Sequence, residues 1–443
     1  MSLELWKSIF DEASFVQTFA YAMPDNNEMP GDGVITGYGA VSGRLVYTAV
    51  QTGDGLGRIQ AEKIAKIVQM ATKRGAPFLF FMNTQGIRLD EGFDALSGYG
   101  TILQAISMAN SEIPTVCCIE GNCFGTASVL ASMFDFVIMP EDGSYASVQT
   151  SMDKTAYEGI ASSQACSRKG FATLRCAKEQ LSDLIAKLIH YLPDNASSGT
   201  DNYDGTTDDV NRCCSYCESL RYDDVYDVRD VIKEIADNQL FLEVWNDYAP
   251  SVVTAFARFG GHVACIIANQ PTEAGGMMND ASCKKASMII DYCDRFSIPL
   301  ITLVNTSGLS EDISEEQLNL SSSAALLATA YVHAEMPKLS MIIGKSYGNS
   351  CLLMNSRALG ADYVYAWNHA SICVGKPEVN ALLYFTEDIS NAADPVLRRN
   401  QAIETYRNQY CVPAIAAQKG YIDDIIAAGE TRARIINFIQ MMA

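Results

Sequence analysis

Two stretches 223 residues apart carry the same punctuation. Pro114–Ser128 reads PTVCCIEGNCFGTAS and Pro337–Cys351 reads PKLSMIIGKSYGNSC, so Pro114, Gly121 and Gly125 fall on Pro337, Gly344 and Gly348. Upstream, PFLFFMNTQGI from Pro77 and PLITLVNTSGL from Pro299 place Asn83, Thr84 and Gly86 on Asn305, Thr306 and Gly308. Each half opens on a glycine-punctuated hairpin pattern, GAVSGRLVYTAV from Gly39 and ARFGGHVACIIA from Ala257. A helical stretch follows in each, Gln60–Arg74 and Ala281–Phe296; in the first, Ile64, Ile67 and Met70 with Val68 and Ala71 make one apolar face. The order in each half is strand, strand, helix, strand, helix, strand, glycine corner, helix, strand. Apolar strands alternating with helices predict an α/β fold with a mainly parallel, buried sheet. The duplication predicts two tandem domains, 1–222 and 223–443, parted in the polar stretch Pro193–Arg212, with a helical tail at Thr431–Met442.

Charge narrows the partners. Against 32 Lys and Arg stand 52 Asp and Glu, a net charge of −20, which argues against nucleic acid and anionic membranes. An anionic substrate then needs locally placed donors. A hydrophobic fraction of 48% with 19% charged residues suits a well-cored globular protein. The start, MSLELWKSIFDEASF, carries acids and lacks the apolar core of a secretory signal; the run Gly121–Pro140 is interrupted by glycines, Asn122 and Asp135. Cys117, Cys118, Cys265 and Cys293 sit inside apolar runs, as small hydrophobes in a reducing, cytoplasmic setting do. Cys214 and Cys217 form one CxxC without a second matching pair, so no metal is expected there.

A strand entering a helix through a glycine corner leaves backbone N–H groups unpaired. Those donors and the helix dipole attract negative charge, and two of them aimed at one point make an oxyanion hole, suited to an enolate or tetrahedral anion beside a thioester. The same glycine turn is also an ordinary structural device of α/β proteins, so the corner alone leaves both readings open. Side-chain machinery is sparse. His190, His262, His333 and His369 belong to no triad or metal spacing, there is no HExxH, and GDGLG at Gly53–Gly57 fits neither a dinucleotide fingerprint nor a P-loop. Asp90–Glu91 could supply a carboxylate, or simply form a solvated loop.

At these residues the chain resembles the carboxyltransferase family of biotin-dependent enzymes: propionyl-CoA carboxylase β subunits and the carboxyltransferase subunits of methylmalonyl-CoA and glutaconyl-CoA decarboxylases. The likeness runs through GDGVITGYGAVSGR, GIRLDEGFDALSGYGTI, GNCFGTA, HYLPDN, YDVRDVI, IANQPTEAGGMMNDASCKKA, KSYGNSCLLM, GADYVYAW and AAQKGYIDDII with TRARI. It implies two crotonase-like domains, the first on the acyl-CoA side and the second on the biotin side, in a homo-oligomer, commonly a hexamer. It implies that Gly125 and Thr126 hold the thioester carbonyl and that Asn349 and Ser350 hold the biotin ureido group, with Gly348 shaping the turn. The resemblance implies that carboxybiotin releases CO2, the biotin anion takes the α-proton of the acyl-CoA, and the enolate attacks CO2; the reverse is decarboxylation. Biotin comes on a separate carrier protein, with a biotin carboxylase or membrane decarboxylase subunit completing the cycle. Arg58, Lys63, Gly86, Arg88 and Leu352 are the candidate substrate-binding residues, Arg58 and Lys63 for CoA phosphates. The corners depart from the family: FGTA replaces AGGA and YGNSC replaces YGGAY. A threonine or asparagine at a corner requiring positive φ would be strained. Two alternatives therefore stand beside the carboxyltransferase reading: an impaired paralogue with an assembly or regulatory role, and a hydrolase or hydratase of crotonase type using Glu91 or Glu120.

Overall fold

The computed structural model describes residues 6–22, 33–52, 55–146, 159–198 and 204–442. Two compact units emerge: residues 1–202 with 245–248, and residues 203–244 with 249–443. The division falls inside the polar stretch Pro193–Arg212, so residues 203–222 pack with the second unit.

Each unit is built on one eight-stranded sheet. The first contains β1 (Val16–Thr18), β2 (Val34–Val41), β3 (Arg44–Gln51), β4 (Phe78–Thr84), β5 (Thr115–Phe124), β6 (Phe136–Pro140), β7 (Ser144–Ala146) and β8 (Leu174–Cys176). The second contains β9 (Phe241–Val244), β10 (Val252–Phe259), β11 (His262–Asn269), β12 (Leu300–Thr306), β13 (Lys338–Tyr347), β14 (Tyr363–Trp367), β15 (Ser371–Cys373) and β16 (Asp424–Ile426). Strand order is β1-β2-β3-β4-β5-β6-β8 in one and β9-β10-β11-β12-β13-β14-β16 in the other, and β7 and β15 each add to the far end of the fifth strand. The duplication read from the sequence is thus a duplication of topology, and the α/β expectation holds.

Local chemistry explains the match. The hairpins turn at Ser42–Gly43 and Gly260–Gly261, all four residues at positive φ, the backbone that suits a two-residue turn between twisted strands. Pro77 and Pro299 precede their strands, where a missing N–H costs nothing, and their carbonyls accept from Tyr47 and Cys265 at 2.9 Å to open the parallel ladder. The central strands are nearly continuous apolar runs because helices cover the sheet. The helices Arg58–Arg74 and Asp280–Arg295 supply that cover; each contributes a row of buried Ala, Ile or Val.

These helices also carry a duplicated buried lysine. Lys63 Nζ donates to the Val34 carbonyl at 2.8 Å, and Lys285 Nζ donates to the Val252 carbonyl at 2.7 Å. Each ties a helix to the first residue of a hairpin strand. Lys63, read from sequence as a CoA-phosphate cation, is 6% exposed and committed to that tie.

Burial pulls the Lys285 ammonium down to about 7. Unfolded, the same group holds its proton to about pH 10. Between those values the unfolded chain binds more protons, so stability rises with pH. Lys285→Met should abolish this rise: relative to the variant, the parent should gain about 2 kcal/mol from pH 7 to pH 9 in urea unfolding. A difference that stays constant with pH would mean that Lys285 keeps its ordinary proton affinity.

Candidate active site: two matched glycine corners

Both corners sit where a long parallel strand breaks its ladder. The register of β4 with β5 shifts between Met82 and Thr84, and that of β12 with β13 between Val304 and Thr306. An asparagine fills each break. Asn83 Oδ1 accepts from the Asn122 N–H at 3.1 Å, and Asn305 Oδ1 accepts from the Lys345 N–H at 3.0 Å. The glycines at 121 and 344 make room for these amides, since a Cβ there would lie 2.4 Å from Asn83 Oδ1 or 2.5 Å from Asn305 Oδ1. Their role is to seat the asparagine; the chain turns only four residues later.

The turn is made by Gly125 (φ 63°, ψ −131°) and Gly348 (φ 61°, ψ −142°). Only glycine adopts that backbone at low cost. Helices of six and five residues follow, Thr126–Ala131 and Asn349–Leu353. Thr126 and Asn349 are their first residues and do not have positive φ. The strain expected for them is therefore absent, because the glycine before each absorbs the whole bend. Among the described residues, the N–H groups of Thr126, Ala127, Asn349 and Ser350 have no acceptor. Helices this short sum little dipole; what they present is pairs of main-chain donors. Secondary contacts lock the bend: the Ser128 hydroxyl donates to the Gly125 carbonyl at 2.7 Å, and the Gly348 N–H donates to the Cys373 carbonyl at 3.1 Å.

The loop after the fourth strand packs against each corner, with Gly86 beside the Phe124 carbonyl and Gly308 beside that of Tyr347. Gly86 is not a free donor: its N–H donates to Thr84 Oγ1, and its carbonyl accepts from the Leu56 N–H at 2.9 Å and the Tyr99 hydroxyl at 3.2 Å. Gly308 repeats the pattern with Thr306 Oγ1 and the Met278 N–H. Arg88 Nη1 donates to Glu91 at 3.1 Å. Glu91 in turn accepts the Arg58 N–H at 2.7 Å, and Glu315 accepts the Asp280 N–H at 2.8 Å. Both carboxylates cap the start of a covering helix, so Glu91 is occupied structurally and Arg88 holds it there. The Arg58 side chain is half-exposed and pairs with Glu62 at 2.6 Å.

Glu120 differs. It lies on β5, 6% exposed, with neither carboxylate oxygen partnered among the described residues, and burial raises it to about 7 despite Lys178 nearby. In the second unit, in front of the corner, Ser307–Glu311, Glu316, Leu320, Gly348, Asn349 and Lys376 surround a cleft of about 360 Å³. Lys376 spans it to Glu311 at 2.6 Å. Asn349 is exposed toward solvent, and Ser350 is fully buried with its hydroxyl unpartnered among the described residues. Leu352 is 48% exposed. The helix caps made by Glu91 and Glu315 escaped the sequence reading; the two acids stand 224 residues apart, two off the repeat spacing of Gly86 and Gly308.

The carboxyl transferase domain family matches residues 2–443. The chain is 35% identical to the methylmalonyl-CoA carboxyltransferase 12S subunit of Propionibacterium freudenreichii subsp. shermanii, over 95% of this chain and 82% of that one. It is 33% identical to the methylmalonyl-CoA decarboxylase subunit alpha of Propionigenium modestum, over 98% and 88%. Its structure is similar to that of transcarboxylase 12S, described as a hexamer with methylmalonyl-coenzyme A and methylmalonic acid bound: the TM-score is 0.93 at 32% identity, over 99% of this chain and 88% of that one. Among the described residues no helix is long and apolar enough to cross a membrane. With the family motif spanning the chain and both corners built alike, this protein belongs to the carboxyl transferase domain family, as an acyl-CoA carboxyltransferase subunit with two crotonase-like domains.

Proposed function

We propose that this chain moves a carboxyl group between biotin, held on a separate carrier protein, and a short acyl-CoA of the propionyl or methylmalonyl kind. The observation that carries the reading is the pair of matched glycine corners, each followed by two N–H groups without an acceptor among the described residues. Bound biotin supplies the transferable carboxyl on its ureido ring. The residues of the second corner suit such a ring: a neutral urea oxygen accepts hydrogen bonds, and Asn349 and Ser350 offer donors beside a cleft of about 360 Å³. In the first unit, Thr126 and its neighbour Ala127 would hold the thioester oxygen as it becomes an enolate. Fixed main-chain donors cost no reorganisation when that charge develops. Bound biotin, once its carboxyl has left, would supply the acceptor for the α-proton, so the corner would need no side-chain base, consistent with Glu91 being engaged as a helix cap. Arg58 remains as the candidate contact for CoA phosphate, with Glu62 as its competitor. Assembly as a hexamer and service by a carrier and a partner subunit complete the proposal.

Methylmalonyl-CoA and propionyl-CoA should protect the protein from heat. At one hundred times Kd a ligand adds about 2.7 kcal/mol, which in units of this size raises Tm by roughly 5–10 °C. Methylmalonyl-CoA should pass its carboxyl to free biotin, and propionyl-CoA should accept one from free carboxybiotin. Absence of both protection and exchange at millimolar CoA thioester would refute the assignment.

A further inference from the structure

Two cysteines of the second unit meet one hydrogen bond away from its glycine corner. Cys373 ends β15, and Cys411 follows the helix Pro395–Tyr410. Both lie in one small buried cluster with Tyr347, Ala381 and Tyr406, 5% and 2% exposed. The Cys411 thiol hydrogen-bonds to that of Cys373. The backbone fixes their approach, because the Ile372 N–H donates to the Cys411 carbonyl at 2.9 Å. Cys373 Sγ also accepts from Asn380 Nδ2 at 3.6 Å. These hydrogen bonds, that from Cys411 first, hold the Cys373 thiol below its ordinary pKa despite burial, and the same contact holds Cys411 above its own. A thiolate is the form that attacks an oxidant. The duplicated fold does not require sulfur here: the first unit has Ala146 at the matching place, paired with Phe124 as Cys373 is paired with Tyr347. Each cysteine lines a cavity open to solvent, a route for a small oxidant. The link to the corner is direct. The Cys373 carbonyl accepts the Gly348 N–H at 3.1 Å, and Gly348 makes the bend that aims the N–H groups of Asn349 and Ser350.

We propose that Cys373 and Cys411 form a modification site, a dithiol that a hydroperoxide converts to a disulfide and a reducing thiol restores, and that its closure loosens the Gly348 bend. The Cys373 thiolate attacks one peroxide oxygen; the O–O bond breaks, and the departing hydroxide takes up the proton that Cys373 lost, giving water. The Cys411 sulfur then attacks the resulting sulfenic acid, the S–S bond forms, and the hydroxyl leaves with the Cys411 proton as a second water. Two thiols are oxidised and one peroxide is reduced. The bond draws the two sulfurs to about 2.05 Å, so the end of β15 shifts, and with it the acceptor of the Gly348 N–H. The test treats the full chain with hydrogen peroxide and maps alkylated peptides by mass spectrometry. A linked peptide pair containing Cys373 and Cys411, parted by dithiothreitol, is expected, and Cys411→Ser should not form it. Amide hydrogen exchange at Gly348 should quicken about tenfold in the oxidised parent and stay unchanged in treated Cys411→Ser. Neither readout needs turnover. The effect on catalysis rests on the carboxyl-transfer reading: the rate should fall about fivefold on oxidation, recover with dithiothreitol, and persist in treated Cys411→Ser. If Cys411→Ser does not fold, the linkage and the Gly348 amide of the parent decide. Peroxide that consumes the exposed Cys213, or links Cys214 to Cys217, while Cys373 and Cys411 stay as thiols would overturn the proposal. So would a disulfide form with an unaltered Gly348 amide or undiminished carboxyl transfer. A parent without carboxyl transfer in either state would count against the carboxyl-transfer reading alone.

Discussion

Gly348→Ala should lower kcat for carboxyl exchange by about 10²–10³ while the chain still folds. Steric clash is not the cause: among the described residues a Cβ at Gly348 would come no closer than 4.0 Å to the Val374 carbonyl, and one at Gly125 would meet nothing within 4 Å. What alanine cannot tolerate is the backbone itself, φ 61° with ψ −142°. Holding that conformation costs about 1–3 kcal/mol; relaxing it re-aims the N–H groups of Asn349 and Ser350. Gly125→Ala should behave alike, because its dihedral angles are nearly the same. The check is a thermal melt beside steady-state kinetics. A variant that loses stability but keeps kcat within threefold would show that the corner donors do not touch the reacting groups.

The largest effect on stability should come from Gly344→Ala. Its new methyl group would sit 2.5 Å from Asn305, which has nowhere to go. Asn305 is 3% exposed; its Oδ1 accepts from Lys345, its Nδ2 donates to the Tyr226 hydroxyl at 3.0 Å, and its own N–H donates to Asn269 at 3.1 Å. Overpacking costs about 1–3 kcal/mol, and a buried polar group left unpaired adds about 1–3 more. We expect a loss of about 3–5 kcal/mol, read as a fall in the urea midpoint of the second unit. Gly121→Ala should cost less, because Asn83 is partly exposed and has room to yield. Combining Gly344→Ala with Asn305→Ala should cost less than the two single losses added together, since the clash needs both groups. Strict additivity would mean the methyl is accommodated elsewhere.

The repeat made the architecture readable before any coordinates. Two pairs of prolines, two Asn-Thr pairs and two glycine corners in step require the same strand-helix order twice, and the sheets follow it strand for strand. Other features were hidden by distance along the chain. Glu91 caps a helix that begins 33 positions earlier, at Arg58, and nothing in RLDEG announces that contact. Lys63 falls on a helix whose start looked suited to phosphate, but its ammonium turns inward to a strand carbonyl. Gly121 and Gly125 look equivalent in the sequence. Only the ladder break shows that one clears space for an amide and the other bends the chain.

The Gly125 and Gly348 bends leave side chains free to drift. Because Thr126, Asn349 and Ser350 contribute peptide groups, their identities can change over generations without dismantling the donors, as long as the preceding glycine is inherited. On the proposed assignment, a survey of substitutions would then find tolerance at Thr126, Asn349 and Ser350 and loss of activity at Gly125 and Gly348. New acyl specificities could be tried around a fixed electrostatic frame, so the departure of this chain from AGGA and YGGAY is the kind of variation such a scaffold permits.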